Sequence, residues 1–125
     1  MKDFKKYYLI PAHPEEVYAA LTNPATLQLW TGTPAVMSTR AGSEFSLWEG
    51  NISGTNISFE AGKKIVQHWD FGEQAEPSVV TILLHEHKQG TSAELRHTNI
   101  PDEAFEDIVE GWNEIYFGGL IDFYT

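Results

Sequence analysis

The sequence predicts an α+β fold in which a curved antiparallel β-sheet is wrapped around a long C-terminal α-helix, with two short helices after the first strand. Three observations lead to this fold class. Runs of β-prone residues separated by Gly-, Asn- and Ser-rich turns fill the middle of the chain, proline-led helical segments precede them, and apolar residues at helical spacing close the sequence. A sheet with one apolar face and an amphipathic helix must cover each other.

The first elements are a strand and two short helices. The strand is predicted over residues 4–10 (FKKYYLI), where aromatic and β-branched residues precede a proline. The helices are predicted within residues 14–30 (PEEVYAALTNPATLQLW). Pro14 suits the first turn of a helix, and Asn23 followed by Pro24 is typical of a capping residue that opens the second one.

Six further strands are predicted in the middle of the chain. They are AVMST (35–39), SEFSLWEG (43–50), NISGTNISFE (51–60), KKIVQHWDF (63–71), SVVTILLHEH (78–87) and TSAELRHTN (91–99). Because short turns join them, we expect an antiparallel meander. Gly50 is explained by a turn, whereas Gly54 lies within a β run, where a residue without Cβ permits a bulge or a sharp bend.

The last segment is predicted to be one helix that begins at Pro101-Asp102 and runs for roughly 22 residues, or about 33 Å. Acidic residues crowd its first turns, as the helix dipole favours, and apolar residues then recur at three- and four-residue steps. Gly111 beside Trp112 suggests a close approach of the helix to the sheet. The pair Gly118-Gly119 suggests a kink or a loosened last turn.

Composition limits the classes of function. The chain has 8 Lys and Arg residues against 18 Asp and Glu residues, a formal net charge of −10. Because this field repels phosphate, we expect no nucleic-acid binding and no docking on anionic membranes. The absence of cysteine excludes disulfides and thiolate chemistry. With neither a signal-peptide pattern nor an apolar run of about 20 residues, we expect one cytoplasmic domain, residues 1–125, without membrane insertion.

Three stretches of the chain resemble a known family. They are PEEVYAALTNPATLQLWTG, FSLWEGNISGTNISFEAGKKIVQHWDF and SVVTILLHEHKQGTSAELRHTNIPDEAFEDIVEGWNEIYF. With Gly50-x-Ile52-x-Gly54 and Gly111-Trp112 as their most specific features, they resemble the START-like (SRPBCC) superfamily, which includes the birch-pollen allergen. Within it they resemble the C-terminal domain of the activators of the heat-shock-protein-90 ATPase. The resemblance implies a helix-grip fold, an apolar space between helix and sheet, and a chaperone as a partner.

Strand alternation, together with this resemblance, predicts a ligand site on the inner face of the sheet. On each of three strands, every second residue lies on the same face. These residues are Ile65, Gln67 and Trp69; Val80, Ile82 and Leu84; and Ala93, Leu95 and His97. With aromatic residues added from the β region and the helix, the predicted ligand-binding set is Trp48, Gln67, Trp69, Ile82, Leu84, Leu95, His97, Trp112 and Tyr116. Taken singly, each is better explained as an ordinary core residue, and the prediction of a ligand site rests on the residues taken together.

The polar residues of the sequence predict no catalytic site. His97 lies among apolar neighbours and could bond a ligand, since imidazole titrates near neutrality. His85 and His87 project to one side of a strand, but the sequence places no third ligand, so no metal site is predicted. The sequence contains no nucleophile elbow, His-Glu-x-x-His pattern or phosphate-binding loop, and no catalytic residue or cofactor is predicted.

Three functions are compatible with these observations. The favoured one is non-enzymatic binding of a hydrophobic small molecule, of lipid or aromatic type, between the C-terminal helix and the sheet. The first alternative is a co-chaperone-like stimulator of a heat-shock-protein-90-type ATPase. The second is an enzyme of cyclase or hydrolase type that uses His97 as its acid–base group. Aromatic density in WEGNIS and YFGGLIDFY would also suit a homodimer surface.

Overall fold

The computed structural model describes residues 1–72, 74 and 76–125. Its main element is a curved six-stranded antiparallel sheet. The strands are β1 (Lys2–Ile10), β2 (Glu44–Leu47), β3 (Ile52–Glu60), β4 (Lys64–Trp69), β5 (Ser78–His87) and β6 (Gly90–Ile100). Their order is β1-β6-β5-β4-β3-β2, so β2 to β6 form the predicted meander and β1 pairs with its last strand. The predicted α+β helix-grip fold is confirmed.

The two short helices follow β1 as predicted. They are α1 (Pro14–Thr22) and α2 (Pro24–Thr31). The side-chain oxygen of Asn23 accepts hydrogen bonds from the backbone N–H groups of Ala25 and Thr26, at 2.9 and 3.2 Å. Asn23 is therefore the capping residue that the Asn-Pro pair indicated.

The prediction of a strand over residues 35–39 is wrong. Only an isolated bridge between Val36 and Ser46 forms there, and the described residues form five strands rather than six after the helices. The backbone carbonyl of Ser38 accepts a hydrogen bond from the Asn56 side-chain amide at 3.1 Å. A side chain of β3, rather than a strand ladder, thus holds the second half of this segment.

The C-terminal helix runs without a break from Asp102 to Phe123, as predicted, but it is not α-helical throughout. It consists of a 3₁₀ turn (Asp102–Ala104), α3 (Phe105–Glu110), a π-helical segment (Gly111–Tyr116) and α4 (Phe117–Phe123). The π geometry shows in the bond from the Phe117 backbone N–H to the Trp112 carbonyl, five residues earlier. No pattern in the sequence predicts this π-helical segment.

The glycines of the helix act differently from what the sequence suggested. A Cβ on Gly111 would meet no atom within 4 Å, so the predicted close approach of the helix to the sheet does not occur there. A Cβ on Gly118 would lie 2.5 Å from the backbone carbonyl oxygen of Asn113. Since the helix continues through Gly118-Gly119, the pair marks the exit from the π segment rather than a kink or a loosened end.

Gly54 is required by the sheet itself. A Cβ at this position would lie 1.9 Å from the carbonyl oxygen of His68 on the neighbouring strand. Two residues further on, the register of β3 against β4 shifts between Asn56 and Ser58. The predicted irregularity of this strand is therefore confirmed, with the close approach at the glycine and the bulge just after it.

The inner face of the sheet carries the residues that alternation predicts. Exposure of the side chains is 7% or less at nine positions: Ile65, Gln67, Trp69, Val80, Ile82, Leu84, Ala93, Leu95 and His97. Helix residues Trp112, Tyr116, Phe117 and Leu120 cover them and are equally buried. Among the described residues, no helix is both long and apolar enough to cross a membrane.

We expect Gly118→Ala and Gly119→Ala to change stability in opposite directions. The new methyl at position 118 would collide with backbone of the π segment, which should lower the free energy of unfolding by about 1–3 kcal/mol. At Gly119 the nearest atom is a ring carbon of Trp30 at 3.7 Å, an ordinary contact, so alanine should stabilise the helix by roughly 1 kcal/mol or less. Urea unfolding measures both changes, and a Gly118→Ala variant as stable as Gly119→Ala would contradict this account.

Candidate functional site

Stacked aromatic rings occupy the space between the helix and the sheet. The Trp112 ring lies over the Trp69 ring, with centroids 4.7 Å apart and planes 26° from parallel. Trp112 also contacts Tyr116, at a centroid distance of 4.6 Å, while Phe117 stacks on Tyr8 at 4.3 Å. These contacts fill much of the space between the helix and the sheet, because aromatic rings of the helix pack directly on the sheet.

His97 holds this stack from the side of the sheet. It is fully buried, and its Nδ1 accepts a hydrogen bond of 3.0 Å from the indole N–H of Trp112. An indole nitrogen can only donate, so the imidazole proton lies on Nε2, which donates to the Ser78 hydroxyl at 2.8 Å. That hydroxyl in turn donates to the Thr98 carbonyl at 3.2 Å.

The same surroundings keep His97 neutral. Burial lowers the pKa of His97 from 6.5 to about 4, and the charge of Asp3 opposes this shift only in part. A proton on Nδ1 would also face the indole N–H, donor against donor. Since both ring nitrogens are bonded within the protein, His97 has none free to serve a substrate as acid or base.

A second buried polar chain runs from the stack toward the segment after α2. The Trp69 indole donates to the Gln67 side-chain oxygen at 3.1 Å, and the Gln67 amide donates to the Asn56 side-chain oxygen at 3.0 Å. The Asn56 amide then donates to the Ser43 hydroxyl at 3.1 Å. Gln67 is therefore bonded to protein on both sides, and Asn56, which the sequence analysis did not select, is the central member.

An open apolar pocket of about 270 Å³ lies beside the stack, between the β2–β3 turn and the helix. The turn and β3 contribute Trp48, Asn51 and Ile52, β4 contributes Trp69, and the helix contributes Asp107, Ile108, Gly111, Trp112, Ile115 and Tyr116. Trp69, Trp112 and Tyr116 form its buried floor, whereas the side chain of Ile115 is 56% exposed at its rim.

The β2–β3 turn presents Trp48 to this pocket in an unusual backbone conformation. Trp48 and Glu49 have φ angles of 50° and 57°, in the left-handed region that non-glycine residues rarely adopt. The Trp48 ring packs edge-on against Tyr116 and Trp30, with centroids 6.0 and 5.8 Å away. These aromatic contacts compensate for the local cost of the turn.

The structure divides the predicted ligand-binding residues into two groups. Four line the pocket together: Trp48, Trp69, Trp112 and Tyr116. The other five are buried in the core or in its polar chains and lie outside this pocket: Gln67, Ile82, Leu84, Leu95 and His97. The other residues of the pocket were not predicted as site residues: Asn51, Ile52, Asp107, Ile108, Gly111 and Ile115. Ile115 occupies an apolar position of the helical pattern, and its exposure depends on the π segment.

Two larger surface grooves carry many charged side chains. One, of about 970 Å³, lies between the start of α1 and the β3–β4 turn and includes Glu15, Glu16, Lys63 and Lys64. The other, of about 620 Å³, lies beside β3 and β4 and includes Glu44, Asp70 and Glu76. Neither has the apolar lining of the pocket beside the stack.

The two histidines near the end of β5, His85 and His87, contact different partners. His85 Nε2 lies 2.9 Å from a carboxylate oxygen of Glu94, and His87 Nδ1 accepts from the backbone N–H of Gln89. Within the part of the chain that the structure describes, no group of three or more His, Cys, Asp or Glu side chains could hold a metal ion.

We expect His97 to make the protein less stable in acid. Its folded-state pKa of about 4 lies below the ordinary 6.5, so the unfolded chain binds the proton first. The stabilising contribution is full above pH 6.5 and is lost as the pH falls toward 4, by up to about 3 kcal/mol. Urea unfolding of wild type and His97→Gln across this range measures it. Parallel pH profiles of the two proteins would disprove the assignment.

Comparisons with known proteins agree with this geometry. A family model described as "Activator of Hsp90 ATPase homolog 1-like protein" matches residues 11–121. The human "Activator of 90 kDa heat shock protein ATPase homolog 1" is 31% identical over 109 residues, which are 86% of this chain and 32% of that protein. The Dictyostelium discoideum "Activator of 90 kDa heat shock protein ATPase homolog" is 31% identical over 102 residues, 79% of this chain and 27% of that protein.

Among solved structures, an HSP90 activator from Plasmodium falciparum has a TM-score of 0.85 and 26% identity, and the match covers 94% of this chain and 92% of that one. The chain spans about a third of the length of the curated relatives described above. Because the family model matches most of the chain, the protein belongs to the family of Activator of Hsp90 ATPase homolog 1-like proteins.

Proposed function

We propose that this protein is a co-chaperone-like partner of a heat-shock-protein-90-type chaperone and raises the rate of its ATPase. The observation that carries the proposal is the family match over residues 11–121, supported by relatives whose names describe activators of that ATPase. The proposal concerns an activity of longer relatives, of which this chain corresponds to about a third. It places the protein in the cytoplasm together with the chaperone.

The geometry supports a docking role over a carrier role. The rings of Trp69, Trp112 and Tyr116 fill the space between helix and sheet, where a lipid would otherwise lie. Beside these rings the pocket leaves apolar surface accessible, with Ile115 at its rim. Exposed apolar surface next to charged residues is the usual character of a protein-binding site.

We expect addition of the purified protein to raise ATP turnover by a purified heat-shock-protein-90-type chaperone, saturating as the complex forms. Turnover is measured as phosphate release, and an ATP-competitive inhibitor of the chaperone gives the background. Boiled protein at the same concentrations is the control for nonspecific effects. Unchanged turnover at saturating concentrations would rule out this function.

A second candidate function is binding of a neutral hydrophobic small molecule in the pocket. The apolar lining supplied by Trp48, Trp112 and Tyr116 favours it, and these are residues that the sequence analysis selected. The volume of about 270 Å³ falls just below the range of about 300–1,000 Å³ that is usual for such sites. A ligand there would be small and would leave part of its surface in water.

We expect N-phenyl-1-naphthylamine, a neutral probe, to quench tryptophan fluorescence saturably if this second function holds. Trp48→Ala should weaken the binding several-fold, because it removes one wall of the pocket. Phe123→Ala, at an exposed position near the end of the helix, serves as the control and should bind like wild type. The absence of saturable binding across a panel of fatty acids and aromatic compounds would exclude it.

Catalysis by His97 has no support from the site, because both ring nitrogens are bonded to protein groups. Homodimerisation through the aromatic segments WEGNIS and YFGGLIDFY stays a prediction. Three residues of the second segment, Tyr116, Phe117 and Leu120, are buried within this chain and are therefore not part of an exposed surface.

A further inference from the structure

Gly111 is the residue that leaves the pocket open. Its φ and ψ angles, −60° and −44°, are those of an ordinary helix, and a Cβ there would meet nothing within 4 Å. Neither backbone conformation nor crowding calls for glycine, although glycine weakens a helix relative to alanine. The space that a side chain would take is instead part of the pocket lined by Trp48, Trp112 and Ile115.

The size of the pocket suits a single side chain. Its volume of about 270 Å³ is near that of one large residue and below the range of about 300–1,000 Å³ usual for whole small-molecule ligands. Its floor is rigid, because Trp112 is fixed by its bond to His97 and by its stack on Trp69. A rigid apolar pocket beside exposed apolar residues is typical of the anchor points that dominate protein interfaces.

The charges around the pocket indicate the charge of the partner segment that carries this side chain. Asp107 lies on the rim, and Glu103, Glu106, Glu110 and Glu114 are exposed on the same helix. Of the ion pairs formed by the described residues, none involves these five carboxylates, and the helix from Asp102 to Phe123 has no basic residue. A basic segment would be attracted here, whereas a second copy of this acidic surface or an anionic membrane would be repelled.

We propose that the pocket binds one large apolar side chain, of the Leu or Phe type, from a segment of a protein partner in which basic residues flank that side chain. The apolar side chain rests on Trp112 and fills the space above Gly111, and the flanking Lys or Arg residues face the acidic helix. The inference rests on the proposed function as a docking protein and names the chemistry of the segment that docks.

The test uses the full chain and three variants at two positions. Gly111→Leu fills the pocket from an unstrained helical position, Gly111→Ala adds one methyl group, and Phe123→Ala is the distant control. The probes are capped five-residue peptides: Phe between two Lys pairs, Ala between two Lys pairs, and Phe between two Glu pairs. Binding is measured by NMR titration, and chaperone ATPase stimulation is measured with the same proteins.

We expect the Lys-flanked Phe peptide to shift the amide signals of residues around Gly111, and to bind at least about tenfold more tightly than either other peptide. Gly111→Leu should weaken this binding by roughly tenfold or more while the protein melts no lower than wild type. Gly111→Ala should weaken it less, and Phe123→Ala not at all. Higher salt should weaken it, because the charges lie at the surface.

The peptide titration and the ATPase measurement test this inference separately from the proposed function. Peptide binding that Gly111→Leu blocks, without any effect on the chaperone, supports the inference and rejects the proposed function. Equal ATPase stimulation by wild type and Gly111→Leu keeps the proposed function and overturns the inference. Equal binding of the Ala- and Phe-centred peptides, or saturable binding of the naphthylamine probe with none of the peptides, also overturns it.

Discussion

The hydrogen bond from the Trp112 indole to His97 is the interaction on which the rest of the structure depends. It joins the helix to β6, fixes the tautomer of a fully buried imidazole, and sets the ring plane that stacks on Trp69. Ser78 completes the chain of donors, so that both ring nitrogens of His97 and the Ser78 hydroxyl are hydrogen-bonded. Helix position, core packing and the floor of the pocket all follow from this contact.

The π-helical segment explains why one helix can serve both the core and an open pocket. A π turn inserts one residue relative to α geometry, which changes the face that the following residues present. Trp112 and Tyr116 are buried, while Ile115 between them is exposed. The side chain of Asn113, also in this segment, accepts hydrogen bonds from Tyr8 and Lys6 at 2.7 and 2.9 Å, which ties the segment to β1.

Much of the fold was predictable, because strand alternation and helix capping are local properties. The burial of Ile82, Leu95 and His97 on one face follows from a period of two, and the Asn23 cap follows from its own side chain. The pocket was less predictable. It depends on an empty volume at Gly111 and on the left-handed backbone of Trp48, and neither is encoded in periodicity. The conformation at Ser38 likewise involves the side-chain amide of Asn56, which is distant in the sequence.

Trp112 belongs at once to the hydrophobic core and to the lining of a surface pocket. Whatever occupies the pocket therefore rests on the indole that secures the C-terminal helix. Occupancy and folding are then thermodynamically linked, since a molecule that binds only the folded chain stabilises it in proportion to the logarithm of its concentration. For this protein, a rise in melting temperature would report docking even where no catalytic turnover exists to be followed.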